Sequence, residues 1–230
     1  VHTKSLPRLA AVLSAVTAVV VTATVAAGAV ASTTPAVDAA RAASAPVTYT
    51  FAGDSVTQAS NKWSWVKYVD TRRAKSVGGV AAGGLTSATV AAQVTHRDAD
   101  VLVVMVGVGD VRNGVSPATV RKNIGTIVRK VGARHVLLAA VPPCDRTADG
   151  PQRIDRRAAG FVLDRSLQEF ASSRGWGWVD PFSSVRHIDN TWSAGTSSPD
   201  GVHPTATTAK RYLGPRMTVA VTQSVTGAKP

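Results

Sequence analysis

The chain has one cysteine, Cys144, in 230 residues, so no intrachain disulfide can hold it together. Aromatic residues are scarce, at 5%. Negative charge is scarcer than positive. There are 14 Asp and Glu against 26 Lys and Arg, a net charge of +12. That imbalance suits acidic surfaces as partners. It does not suit specific nucleic-acid binding. The basic residues fall in short pairs (Arg72-Arg73, Arg121-Lys122, Arg129-Lys130, Arg156-Arg157) spread over several expected helices, the pattern of solvated faces. Zinc-finger, basic-zipper and RNA-binding signatures are missing. No phosphate-loop lysine follows the glycine-rich turn at Gly83-Gly84, which argues against a nucleotide cradle. No internal repeat is visible.

What the chain does have is hydrophobic residues, 44% of the total and mostly Ala and Val, enough for a core. Residues 1–31 form a class apart. Lys4 and Arg8 precede an uncharged run from Leu9 to Ala31, and Ala29-Val30-Ala31 fits a small-x-small cleavage pattern. This reads as a secretory signal peptide and places the protein outside the cytoplasm. The apolar run of 23 residues is long enough to span a membrane, so an uncleaved anchor is the alternative. Residues 32–46, rich in Ala, Ser, Thr and Pro, read as a linker, and 47–225 as the folded domain.

Within that domain strands alternate with helices. Val47–Phe51 is β-branched and aromatic, hence a strand. Trp63, Val66 and Val69 give helical spacing, so a helix is expected from about Gln58 to Arg73. Val77–Ala81 is a short strand, and Ala88–Val94 a helix. Val101–Val106 is continuous and apolar, as a central parallel strand covered on both faces must be. Ser116-Pro117 opens a helix to about Val131. His135–Val141, then a helix over Gln152–Arg174, then Trp176–Val179 follow. Asp180 to Pro199 has no periodicity and reads as a long functional loop. A last helix spans about Thr205–Val219. The expected fold is a flavodoxin-like α/β/α sandwich on a five-stranded parallel sheet.

The chemistry centres on Gly53-Asp54-Ser55, at the carboxyl end of the first strand, where open α/β sheets place ligands. A serine on such a turn has an exposed hydroxyl and a free N–H. It needs a base. Of five histidines, His187 and His203 follow the last strand, where a loop can fold back over the sheet edge. His203 has Asp200 three residues earlier. In a short turn that carboxylate can reach one ring nitrogen and leave the other for the serine. An isolated Asp-x-x-His is more often a surface turn.

Taken together, Gly53-Asp54-Ser55, Gly84, Gly107-Val108-Gly109-Asp110 and Asp200-Gly201-Val202-His203-Pro204 resemble the blocks of the SGNH (GDSL-type) hydrolase family in order, spacing and placement. The resemblance spans about 47–220. It implies a serine esterase or acyl hydrolase working without metal or cofactor. Ser55 would be the nucleophile, His203 the base and Asp200 its orienting carboxylate. Ser55 and Gly84 would donate to the oxyanion, with Gly83 the neighbouring candidate. One block departs from the pattern. The family places an oxyanion-binding asparagine where this chain has Gly109. Gly109 leaves space there, Asn113 a few residues on is a candidate substitute, and Gly109→Asn is expected to raise kcat. Trp192 and Cys144 are candidate substrate-pocket residues.

Two readings result. The first is a secreted, monomeric esterase acting on short acyl or acetyl esters borne by carbohydrate or lipid. The second is a weakly active or inactive module of the same fold that binds a cell-surface carbohydrate or an anionic envelope polymer. The Ser55, Asp200 and His203 set favours the first. Gly109 and the basic surface favour the second.

Overall fold

The structure is a computed structural model, and it describes residues 45–145 and 155–226. The expected leader, and the linker up to residue 44, lie outside the described residues. Strands β1 (Val47–Gly53), β2 (Ala74–Ala81), β3 (Val101–Met105), β4 (His135–Ala139) and β5 (Gly177–Val179) form one parallel sheet in the order β2-β1-β3-β4-β5. This is the doubly wound order whose chain reversal falls between β1 and β3. The three-layer α/β/α fold is as expected.

Alternation along the strands divides the core. Val101, Val103 and Met105 face one way, with Tyr49, Phe51 and Leu137 beside them. Leu102, Val104 and Val106 face the other way, with Val136 and Leu138. Helices α1 (Ser87–Gln93), α3 (Pro117–Val131) and α4 (Arg157–Ser173) cover the second face. From α3, Val120, Ile124, Ile127 and Val131 point inward at helical spacing. Ser116 caps α3 at the Thr119 N–H, Pro117 starts it, and Gly132 ends it at φ +72°. Each such buried aliphatic side chain contributes on the order of 1.5–3 kcal/mol relative to exposure.

The first face is covered by the last helical run. It passes from α5 (Ala206–Thr208) through a π turn (Ala209–Leu213) into α6 (Gly214–Ser224). Leu213, Met217, Ala220 and Val221 pack inward. The run ends five residues beyond the expected boundary at Val219. Among the described residues, no helix is long and apolar enough to cross a membrane.

The helix expected over 58–73 does not form. Only Trp65–Tyr68 makes a 3₁₀ turn, capped by Ser64, and the rest is a chain of tight turns. The spacing misled because its aromatic residues serve different surroundings. Trp65 is fully buried between Tyr49 and Phe51, whereas Trp63 turns toward His203. An unexpected short helix, α2 (Val108–Arg112), follows β3.

Candidate active site

Ser55 follows the last residue of β1 by two positions. Gly53 pairs with Ala81 of β2 on one side and Met105 of β3 on the other. The Ser55 turn is therefore flanked by the β2–α1 turn and by α2. Asp54 is 1% exposed and anchors the turn. Its carboxylate accepts the Val56 N–H at 3.2 Å and the Val108 N–H at 3.4 Å. Burial pushes its pKa up to about 6 against the pull of those donors. The Ser55 carbonyl accepts from Asn61 Nδ2 at 2.8 Å and Trp63 Nε1 at 3.3 Å. The 55–56 peptide is thus held at both ends. The roles of Asn61, Trp63 and Asp54 were not legible in the sequence.

The long loop brings His203 back across 148 residues of chain. Its Nε2 lies 2.6 Å from Ser55 Oγ, and its Nδ1 lies 2.7 Å from Asp200 Oδ2. The other Asp200 oxygen accepts the N–H groups of Val202 and His203 at 2.9 and 3.0 Å. Partial burial works against the Asp200 charge. The His203 and Val202 donors outweigh it and hold the carboxyl below the ordinary range. A charged Asp200 fixes the proton on Nδ1 and leaves Nε2 free to accept from the serine hydroxyl. His187 stands elsewhere, exposed at the tip of a turn closed by its N–H to the Thr191 carbonyl.

At the oxyanion side, Gly84 takes φ +74° in the turn closed by Leu85 N–H to Ala82 O. Its neighbour's N–H is already engaged, since Gly83 donates to Gln58 Oε1 at 3.0 Å. Among the described residues the Gly84 N–H has no partner, which favours it over Gly83 as a donor.

The expectation at Gly109 is overturned. The space beside it is filled. A Cβ there would press into the Leu85 carbonyl oxygen, 2.9 Å from the Leu85 carbonyl carbon and 3.1 Å from Gly84 O. The β2–α1 turn occupies the volume an asparagine would need. Asn113 does not substitute. Its amide donates to the Gly109 carbonyl at 2.6 Å, a local cap on α2. Asp110 next door is fully buried and accepts the Ser87 N–H and hydroxyl at 2.8 and 2.7 Å, tying α2 to the start of α1.

Trp192 is not a pocket residue. It is 4% exposed and packs edge-on against Phe182 in the core, ring centroids 5.7 Å apart. Cys144 lines a cavity of about 20 Å³ with Val108, Val111, Val141, Pro142 and Val202 among its neighbours. Val108 precedes Gly109 and Val202 precedes His203, so this cavity adjoins the site. Burial pushes the Cys144 thiol up, which keeps it protonated and a poor nucleophile.

The loop that carries Asp200 and His203 is tied down by groups the sequence did not reveal. Asp145, just after β4, accepts from the Trp192 N–H at 3.3 Å and Ser197 Oγ at 2.9 Å, and its own N–H meets the Gly201 carbonyl at 2.8 Å. Arg186 bridges Asp180 at 3.1 Å and Asp164 at 3.2 Å and donates to the Val141 carbonyl at 2.7 Å. Among the described residues no group of His, Cys, Asp and Glu is arranged to hold a metal ion.

Residues 51–211 match the model of the GDSL-like lipase/acylhydrolase family. The chain belongs to that family. No curated protein matches it in sequence. Among solved structures it is similar to an acylhydrolase from Bacteroides fragilis, with 19% identity and a TM-score of 0.60, covering 82% of this chain and 93% of that one. It is also similar to a carbohydrate acetylesterase family member from Sinorhizobium meliloti, with 19% identity and a TM-score of 0.60, covering 78% and 99%. A mutant acetyl-xylooligosaccharide esterase from a Geobacillus matches at 15% identity and a TM-score of 0.57, covering 78% and 95%. At these identities the structures speak for the fold. For this GDSL-family chain, ester hydrolysis is the general activity to explain.

Proposed function

We propose that this family member is a serine esterase that cleaves short acyl esters through Ser55, His203 and Asp200. The observation that carries the proposal is the continuous line from Ser55 Oγ to His203 Nε2 at 2.6 Å and from His203 Nδ1 to Asp200 at 2.7 Å. Ser55 Oγ attacks the ester carbonyl as its proton passes to His203 Nε2. The carbonyl oxygen becomes an oxyanion that takes the Ser55 and Gly84 N–H groups. Collapse expels the alcohol, which leaves with the proton from Nε2. Water then attacks the acyl-serine and gives its proton to Nε2; the intermediate collapses, Nε2 returns that proton to Ser55 Oγ, and the carboxylic acid leaves. Asp200 keeps its charge throughout and stabilises the imidazolium.

A place for the acyl group is offered by the mostly apolar cavity lined by Val108, Val141, Cys144 and Val202. Acetyl esters carried on a carbohydrate are suggested by the names of two of the similar structures, a carbohydrate acetylesterase family member and an acetyl-xylooligosaccharide esterase. A binding-only module has no need of an aligned proton relay. The test is fluorophosphonate labelling of the full chain together with hydrolysis of p-nitrophenyl acetate. Wild type should label and turn over, and Ser55→Ala should do neither. Unchanged turnover in Ser55→Ala would refute the assignment.

A further inference from the structure

The base of this relay sits on an exposed turn. His203 retains about a fifth of its side-chain exposure, and Asp200 nearly half. A single hydrogen bond at Nδ1 fixes the distance to Asp200 but leaves the ring free to swing about that bond. Something must set its plane. The indole of Trp63 lies against the imidazole in a tilted face contact, with centroids 4.7 Å apart and planes 32° apart, within the distance range of interacting aromatic pairs. The same indole donates through Nε1 to the Ser55 carbonyl at 3.3 Å. One side chain therefore touches both the nucleophile's backbone and the base's ring. It projects from a segment of turns, where neither helix nor strand requires an aromatic residue.

We propose that Trp63 is a positioning residue of the triad, whose stacked indole holds the His203 ring in the plane that aims Nε2 at Ser55. This rests on the esterase reading above. The ring carries the greater part of the effect, because the Nε1 bond has a shorter companion in Asn61 Nδ2 at 2.8 Å. Trp63→Phe keeps an aromatic face and loses the donor. Trp63→Leu keeps bulk and loses the face. A displacement near 1 Å at a reacting pair costs on the order of 100-fold.

The experiment uses the full chain and three readouts. Trp63→Leu should lose about 10- to 100-fold in kcat on p-nitrophenyl acetate and in fluorophosphonate labelling rate, with KM within about twofold, since positioning acts on the transition state. Trp63→Phe should stay within about threefold of wild type. Indole emission should differ between wild type and His203→Gln, because the imidazole lies against the indole. That difference should vanish when His203→Gln is made in Trp63→Phe. Wild-type kcat in folded Trp63→Leu would overturn the proposal. So would equal losses in the Phe and Leu variants, which would assign the effect to the Nε1 bond, and so would indole emission that is the same with and without the His203 imidazole. Should His203→Gln alter the emission while wild type hydrolyses and labels nothing, the esterase reading fails while the Trp63–His203 contact stands.

Discussion

Placing a side chain at Gly109 is the perturbation that most sharply separates the structure from the family pattern. By pattern alone, Gly109→Asn restores a missing donor and raises kcat. The geometry reverses the sign. A Cβ at 109 would sit 2.9 Å from the Leu85 carbonyl carbon and overlap its oxygen. The obstacle is backbone, so no rotamer change relieves it. Overpacking of this kind costs about 1–3 kcal/mol. In a domain of this size each kcal/mol lowers Tm by about 2–4 °C, so Gly109→Ala should melt roughly 6–12 °C lower if the cost is near the upper end. Relief comes most cheaply by pushing the Gly84–Leu85 turn outward by close to an ångström, which would take the Gly84 N–H with it. Loss of one oxyanion donor costs about 100- to 1,000-fold in turnover. Gly109→Ala should therefore lose about 100-fold in kcat with little change in KM, and Gly109→Asn should be no better. The assays are thermal unfolding and steady-state hydrolysis of p-nitrophenyl acetate on the same preparations. A Gly109→Asn protein with wild-type Tm and a kcat above wild type would refute the reasoning.

Two further predictions follow from the site. His203→Ala should lower kcat by several orders of magnitude and His187→Ala by less than twofold, because only His203 is joined to Ser55 and Asp200; steady-state kinetics showing the reverse ranking would move the base. Asp54 has its pKa raised from 3.8 to about 6 by burial. The native state therefore holds this proton more tightly than the unfolded chain does, and the carboxyl's contribution to stability falls as pH rises from about 4 to about 6, by about 3 kcal/mol in full. Urea midpoints at pH 4.5 and 7.5 should accordingly show a smaller loss with rising pH in Asp54→Asn than in wild type, and parallel losses in the two proteins would contradict this.

The fold was legible because its evidence is local. Val101–Met105 is apolar without interruption, and Ser116-Pro117 and Gly132 punctuate α3 as capping requires. The meeting of Ser55, His203 and Asp200 was legible because Ser55 and the Asp200–His203 turn stand at the ends of elements. What failed to show was what fills space. Gly109 announces a missing side chain but not the Leu85 carbonyl that stands in its place. Trp63 and Trp192 carry the same letter in similar irregular stretches, yet one covers the His203 imidazole and the other packs on Phe182 in the core. Hydrophobic periodicity cannot separate them, because neither lies in a helix or strand.

The scarcity of acidic residues gains meaning at the carboxyl edge of the sheet. Several aspartates there accept backbone N–H groups from neighbouring segments or from their own turn. Asp54 takes Val56 and Val108, Asp110 takes Ser87, Asp145 takes Trp192, Asp164 takes Val141, and Asp200 takes Val202 and His203. Strands place a loop only at its ends. The turns beyond them have to be fixed by something else, and a carboxylate accepting backbone N–H groups makes the stronger, charge-assisted kind of hydrogen bond. Burial raises the cost of each such charge, as Asp164, pushed up to about 7 despite Arg186, makes plain. That cost recurs at the turns around Ser55 and at the ties of the loop that carries His203. Ser55, the Gly84 turn and His203 are thereby held in register by side chains set back behind them.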